Sequence, residues 1–400
     1  MMQFTARDRL KFLTGAAALG LGACGGGGGG GGSSASAPAP VAVTPTPPVT
    51  PPPATPAPAG TTLQSAFNAN FKMGTALNGQ QIAGPSGDIA RDEFNSITPE
   101  YELKANNIAP TQGVFDFDQA DRVVDWAIAN GKEVRGHALL WHEATPDYFL
   151  QGTPAQIRTR LETYITTVVD HFKDRIKIWD VVNEVVSVDI YNGNNGVGPD
   201  RDTAWLQAVG SGDYIDWAFR AARAADPDAV LFLNDYNTEN PIKRAWLIEI
   251  VQRLLDRGVP IDGVGHQFHF QPDTEISAAA GAIDAVDGLF AGLIQHVTEL
   301  DMNMYSDPGT CWESETGCAA DLGANPPAAN LAAQAQMARD LFDALKARSS
   351  VESVSVWGVR DGDSWLNFVP TERFNHPLLF DRSGNPKPAY RAITDPDYEI

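Results

Sequence analysis

Residues 176–186 read IKIWDVVNEVV, an apolar, β-branched run of the kind that forms a strand covered on both faces, and it ends in Asn183 and Glu184. A carboxylate at the mouth of a core is costly to bury without a partner or a role. The pattern recurs in FKMGTAL (71–77), FNSIT (94–98), EVRGHALLW (133–141), AVLFLNDY (229–236), GVGHQFHF (263–270), HVTEL (296–300) and VSVWGV (354–359), which make eight strand-like runs in all. Helical patterns separate them. DQADRVVDWAIANG (118–131) places Ala120, Val123, Val124 and Ala127 on one face and stops at Gly131. TPAQIRTRLETYITTVVDHF (153–172) offers Thr153 as N-cap, Pro154 in the first turn, and Ile157, Leu161, Tyr164, Ile165, Val168 and Phe172 as the buried stripe. Further helices are predicted near 214–225, 241–257, 276–295 and 331–348. This alternation predicts an α/β fold of the parallel (β/α)8 TIM-barrel type. An open doubly wound sheet is the competing arrangement, but no glycine-rich phosphate loop follows the first strand.

In such a barrel the C-terminal strand ends converge on one cleft. Here they carry His137, Trp141 and His142, then Asn183 and Glu184, Asn234 to Asn237, Gln267 and His269, Glu299 and Asp301, and Trp357. Glu184 therefore faces a shared site. Glu184 and Glu299 end the fourth and seventh runs, on opposite sides of the predicted barrel. Two facing carboxylates suit glycoside hydrolysis, one protonating the leaving oxygen while the other attacks the anomeric carbon or activates water. A separation of about 5 Å gives retention and roughly 6.5–9.5 Å gives inversion. Trp141, Trp357 and Trp365 offer flat faces for sugar rings, whereas Trp126 and Trp246 sit inside amphipathic helices and are assigned to packing. His137, His142, His266 and His269 admit a metal-dependent hydrolase as rival, but the first run, FKMGTAL, lacks the alternating His pair such barrels carry; no metal and no cofactor is expected.

The chain has 400 residues, 43% of them hydrophobic, and a formal net charge of -21. That charge argues against nucleic acid or an anionic lipid surface as partner and leaves neutral ligands open. Residues 6–24, ARDRLKFLTGAAALGLGAC, combine basic flanks with an apolar run too short to span a bilayer, which is the pattern of an export signal (1–23). LGAC (21–24) resembles the lipobox of bacterial lipoproteins, in which the cysteine, here Cys24, is acylated. Residues 24–61 are glycine- and serine-rich, then proline- and threonine-rich, and cannot bury enough apolar surface to fold. They form a tether for a catalytic domain over 62–400. An exported, membrane-anchored lipoprotein is expected, held through its lipid alone, with its catalytic domain in the periplasm or at the cell surface and monomeric. Cys311 and Cys318 in CWESETGC read as a local disulfide, with two free thiols as the alternative.

At these residues the chain resembles glycoside hydrolase family 10, the (β/α)8 xylanases, from about residue 71 to 393. WDVVNE is similar to the family's acid/base motif, which implies Glu184 as proton donor and Asn183 as partner of the sugar's 2-hydroxyl. TELD is similar to its nucleophile motif and implies Glu299 as the attacking carboxylate. By the same resemblance Gln267 and His269 brace the nucleophile, with Asp301 behind His269. GHALLWH carries over His137 and Trp141 to the glycone sugar, VWGVRDGDSW carries over Trp357 and Trp365 as platforms, and FNSITPEYELK gives Glu100 and Lys104 as sugar contacts; NPKPAY recurs near the family's C-terminus. The family's Glu-Asn-Glu-Met-Lys-Trp is replaced by EYELKA, so Tyr101 stands for an asparagine that contacts the distal glycone sugar and Ala105 for a tryptophan.

The implied activity is that of an endo-1,4-β-xylanase on xylan or xylo-oligosaccharides, acting by retaining double displacement. In it, the pKa of Glu184 is raised in the free enzyme by burial and by the neighbouring carboxylate. A barrel glycanase acting on β-glucan or mannan is the nearest rival. A surface lipoprotein that only captures glycan is the rival from another class.

Overall fold

The computed structural model describes residues 61–188 and 198–400. The export segment 1–23, Cys24 and all of the 24–61 linker but its last residue lie outside the described residues. The strands are β1 (Lys72–Leu77), β2 (Ser96–Pro99), β3 (Glu133–Trp141), β4 (Ile178–Asn183), β5 (Val230–Asp235), β6 (Gly263–His266), β7 (His269–Phe270), β8 (Ile294–Met302) and β9 (Val351–Val356). Between and after them come α1 (Pro85–Glu93), α2 (Asp118–Ala129), α3 (Pro154–Phe172), α4 (Asp213–Ala225), α5 (Pro241–Asp256), α6 (Ile276–Leu289), α7 (Ala328–Lys346) and α8 (Pro388–Thr394). All strand pairings are parallel; neighbours follow chain order from β1 to β6, β9 returns to β1, and β6 pairs with β8. The sheet is thus a closed eight-stave barrel, with β6 and β7 as two pieces of one stave.

The break in that stave departs from the reading of GVGHQFHF as one strand. Phe268 takes a left-handed φ of 54°, so the chain swivels between Gln267 and His269 and resumes beside β8, pairing His269 with Asp301. The helices follow the apolar stripes, with all six stripe residues of α3 buried and Thr153 accepting from the Gln156 N–H in a capping box. The 276–295 prediction overran. Helix α6 stops at Leu289 because Gly292, at φ 99°, turns the chain into β8.

Two apolar layers lie between the barrel and its helices. One joins Val134, Val182, Leu233 and Val264 of the strands to Val124, Ile165, Phe219 and Leu247. The other joins Met73, Val297 and Val354 to Ile283, Leu341 and Tyr390. Each fully buried aliphatic side chain contributes about 1.5–3 kcal/mol, so the barrel wall is rigid and its polar residues gather at the mouth. The two ends of the domain meet on Glu93, whose carboxylate accepts from the Leu63 N–H at 2.8 Å and from the Tyr390 hydroxyl at 2.9 Å.

Candidate active site

Strand β4 ends where its next residue, Glu184, adopts a left-handed φ of 58°, a conformation a non-glycine residue holds only when its surroundings enforce it. The Glu184 N–H donates to the Asn234 carbonyl at 2.9 Å, which pins the turn to β5. Its Oε1 accepts from Asn183 Nδ2 at 3.2 Å and Gln267 Nε2 at 3.4 Å, and its Oε2 accepts from Arg201 Nη1 at 3.1 Å. Glu299, on β8 and 5% exposed, accepts from Asn234 Nδ2 at 2.7 Å and stands 3.4 Å from His269 Nε2.

The Asn234 amide joins the two halves. It donates to Glu299 Oε1 and, at 2.9 Å, to Asn183 Oδ1, which also accepts from Gln267 Nε2 at 3.1 Å. Thr298 fixes the other end of that amide by donating to Asn234 Oδ1 at 2.6 Å. Gly265 on β6 leaves the space Asn234 occupies, since a Cβ there would collide with Asn234 Oδ1. Gln267 braces Glu299 through its backbone, its carbonyl accepting from the Glu299 N–H at 3.2 Å, while its side-chain amide sits on Asn183 and Glu184; the side-chain amide on Glu299 is that of Asn234, noted in the sequence only as a strand end.

His269 sits behind Glu299. Its Nδ1 is 2.9 Å from Asp301 Oδ2 and its Nε2 faces Glu299. Burial alone would lower its pKa, but the Asp301 and Glu299 carboxylates outweigh this and it is pushed up to about 10, so the imidazolium persists between two anions. The Trp365 indole donates to the same Asp301 oxygen at 2.9 Å, and its ring stands edge-on 5.3 Å from His269. On the other flank, His137 lies 4.0 Å from Glu299 and 3.0 Å from Asp180, with the Trp357 ring 5.2 Å away. Beneath them Arg135 bonds Asp180 and, at 2.8 Å, His296. Burial opposes ionisation of Asp180, yet Arg135 and His137 hold its pKa below the usual carboxylate range.

Glu100 and Lys104 close the remaining side. Glu100 is buried and accepts from Asn78 at 3.0 Å, while the Lys104 ammonium lies over the Trp141 ring at 4.7 Å and the Tyr101 ring at 5.2 Å. Tyr101 thus brings an aromatic face to this wall, whereas Ala105 is buried in the apolar layer.

The electrostatics of Glu184 correct one expectation. Burial pushes its pKa up, but the Arg201 guanidinium, then His142, the Trp141 indole and Lys243 outweigh burial and hold it below the usual range in the free protein. The Trp141 indole nitrogen is buried and aims its N–H at the Glu184 carboxylate. His266, by contrast, is engaged by Thr238 at 2.7 Å and Gln295 at 2.9 Å. Among the described residues the one metal-like grouping is Asp307 with Cys311 and Cys318, and those two sulfurs are bonded to each other, as the sequence spacing predicted.

Arg201, Asp180 and Trp312 were passed over in the sequence. Asp180 had a signal, a charge inside an apolar strand. Arg201 and Trp312 lie in loops without periodicity.

The arrangement has known counterparts. The sequence profile of Glycosyl hydrolase family 10 matches residues 62–396. A thermostable celloxylanase of Thermoclostridium stercorarium is 40% identical over 84% of this chain and 87% of its own length. A beta-1,4-xylanase of Dictyoglomus thermophilum is 37% identical over 83% and 90%. The crystal structure of xylanase B from Clostridium stercorarium F9 superposes with a TM-score of 0.77 at 39% identity, covering 84% of this chain and all of that one.

Proposed function

The chain belongs to glycosyl hydrolase family 10, and from that premise we propose that it is an endo-1,4-β-xylanase that cleaves internal linkages of xylan with retention of the anomeric configuration. The observation that carries this reading is the Asn234 amide, which holds Glu299 and the Asn183–Glu184 pair in one hydrogen-bonded unit across the barrel mouth. Glu299, backed by the His269 imidazolium, attacks the anomeric carbon and forms a glycosyl ester. Glu184 gives the departing sugar oxygen its proton. In the second half Glu184, again an anion beside Arg201, takes a proton from water, and the hydroxide displaces Glu299.

Glu184 must gain a proton before the first half although the free site favours its anion. Substrate supplies the change by excluding water from the mouth and competing for the donors around Oε1 and Oε2. The single test is Glu299→Ala assayed on purified glucuronoxylan and arabinoxylan, with the anomeric form of the wild-type products followed by proton NMR. Loss of cleavage in the variant and β-anomers released first by the wild type are expected. Undiminished turnover, or α-anomers first, overturns the assignment, and release from β-glucan or mannan in preference to xylan moves the substrate.

From the sequence of residues 1–61 we infer that the protein is exported and tethered by an acylated Cys24, with the catalytic domain beyond the membrane surface. The expected outcome for Cys24→Ala is loss of labelled fatty-acid incorporation and movement of activity into the soluble fraction. A single species of monomer mass is expected in sedimentation.

A further inference from the structure

The loop after β8 holds the rim feature that the reaction does not use. Cys311 and Cys318 are disulfide-bonded, closing a loop whose first turn, Gly309–Ser314, carries Trp312 next to the fully buried Cys311. Trp312 is partly exposed, and its ring lies 6.3 Å from Trp365, tilted by 49°. Trp365 in turn is bonded to Asp301 and stands edge-on to His269, the residue behind Glu299. Trp312 is therefore the next aromatic face outward from the nucleophile.

The loop that presents it is held firmly. Asp307 and Arg373 form an ion pair with both side chains buried, and each also bonds the Ala319 backbone, Asp307 from its N–H at 2.9 Å and Arg373 to its carbonyl at 3.0 Å. The Arg373 guanidinium lies 3.6 Å over the Tyr305 ring, which ties the loop after β8 to the loop after β9. On that second loop stand Phe368 and Phe374, the only exposed aromatic side chains among the described residues. Anchoring a partly exposed tryptophan on a surface loop in this way has no value to the barrel core. It does suit a flat apolar ligand, since a rigid aromatic face binds a sugar ring without losing rotamer freedom.

We propose that Trp312, continuous with Trp365, is a further platform for a xylosyl unit of a long chain, outside the units that flank the scissile bond, and that the Cys311–Cys318 disulfide holds it in place. The proposal rests on the xylanase reading above. The platform acts only on chains long enough to reach it.

The test compares Trp312→Ala, Trp312→Phe and Cys311→Ala/Cys318→Ala with the wild type on xylohexaose and on a short aryl β-xylobioside. Trp312→Ala is expected to raise KM for xylohexaose by about three- to tenfold more than for the short substrate, with kcat changing less than KM, and Trp312→Phe to recover most of the difference. Mild reduction of the wild type should reproduce that length-dependent loss, as should the double cysteine variant, and reduction of Trp312→Ala should add nothing. Equal loss on both substrates, or none, overturns the platform. Reduction that lowers activity on both substrates alike leaves the platform but removes the disulfide's part. If the wild type cleaves β-glucan or mannan and not xylan, the substrate reading has failed, and the same comparison is made on short and long oligomers of that glycan. Cleavage of none of them overturns both.

Discussion

Arg201 places a guanidinium nitrogen 3.1 Å from Glu184, on the carboxylate oxygen opposite the one that Asn183 and Gln267 engage. The proposed proton donor is thus kept anionic in the resting protein by a cation that reaches it from outside the barrel strands. The pairing favours the second half of the reaction and works against the first.

That conflict predicts a pH effect. The alkaline limb of kcat/KM reports loss of the proton from the free enzyme's acid, and Arg201 lowers the pH at which Glu184 loses it. Replacing Arg201 with Gln should move that limb up by about one pH unit and slow hydrolysis of the glycosyl intermediate, seen as a burst with an activated aryl xyloside. An unmoved limb would show that Arg201 does not govern the donor.

The imidazolium of His269 depends on its two anions. Asp301→Asn removes one, so the His269 pKa should fall from about 10 toward the ordinary range, read directly from the imidazole nitrogen shifts in an NMR titration. The sign for stability follows. A raised histidine pKa stabilises the fold fully below about 6.5, and that contribution is lost as pH climbs toward 10. The variant should accordingly lose more melting temperature, relative to wild type, at pH 6 than at pH 10.

Buried neutral histidines act in the opposite direction. Burial pushes His266 down to about 4, so below about 6.5 the unfolded chain takes a proton there that the folded chain refuses. Stability falls as pH drops from 6.5 to 4, by at most about 1.4 kcal/mol per pH unit for this one group. His296 lies well below its ordinary value and adds to the slope. His266→Gln should flatten the acid side of a melting-temperature profile, and an unchanged slope would remove His266 from the account.

The two carboxylates were legible because each breaks an apolar strand at its end, where a charge has no reason to be unless a cleft opens. Barrel order then put both at one mouth. Asn234, seen only as a polar strand end, gained its role from depth: Gly265 beneath it lets its amide reach across to both halves of the site. Position in sequence carries no such information. Arg201 and Trp312 escaped notice because loop residues follow no hydrophobic period, and their side chains find partners more than ten residues away. The lowered Glu184 pKa could not be read without Arg201. Burial and a second carboxylate, the two influences visible in the sequence pattern, both act in the other direction.

Lys243 offers the sharpest test of how the acid/base turn is held. Its side chain is fully buried, its ammonium is 2.6 Å from Asp235, and it lies 3.4 Å over the Tyr236 ring. The other Asp235 oxygen accepts the N–H of Val186, two residues after Glu184, at 2.9 Å. Lys243 therefore holds the carboxylate that holds the strained turn. Lys243→Met leaves Asp235 buried and unpaired, a loss of about 3–5 kcal/mol, measurable by urea unfolding. Pairing it with Asp235→Leu should restore much of that stability, because an apolar pair needs no counter-charge. Activity should not return with it, since the Val186 N–H still lacks its acceptor and Glu184 its fixed backbone. Recovery of both together would mean that the Asp235 contact has no part in positioning the proton donor.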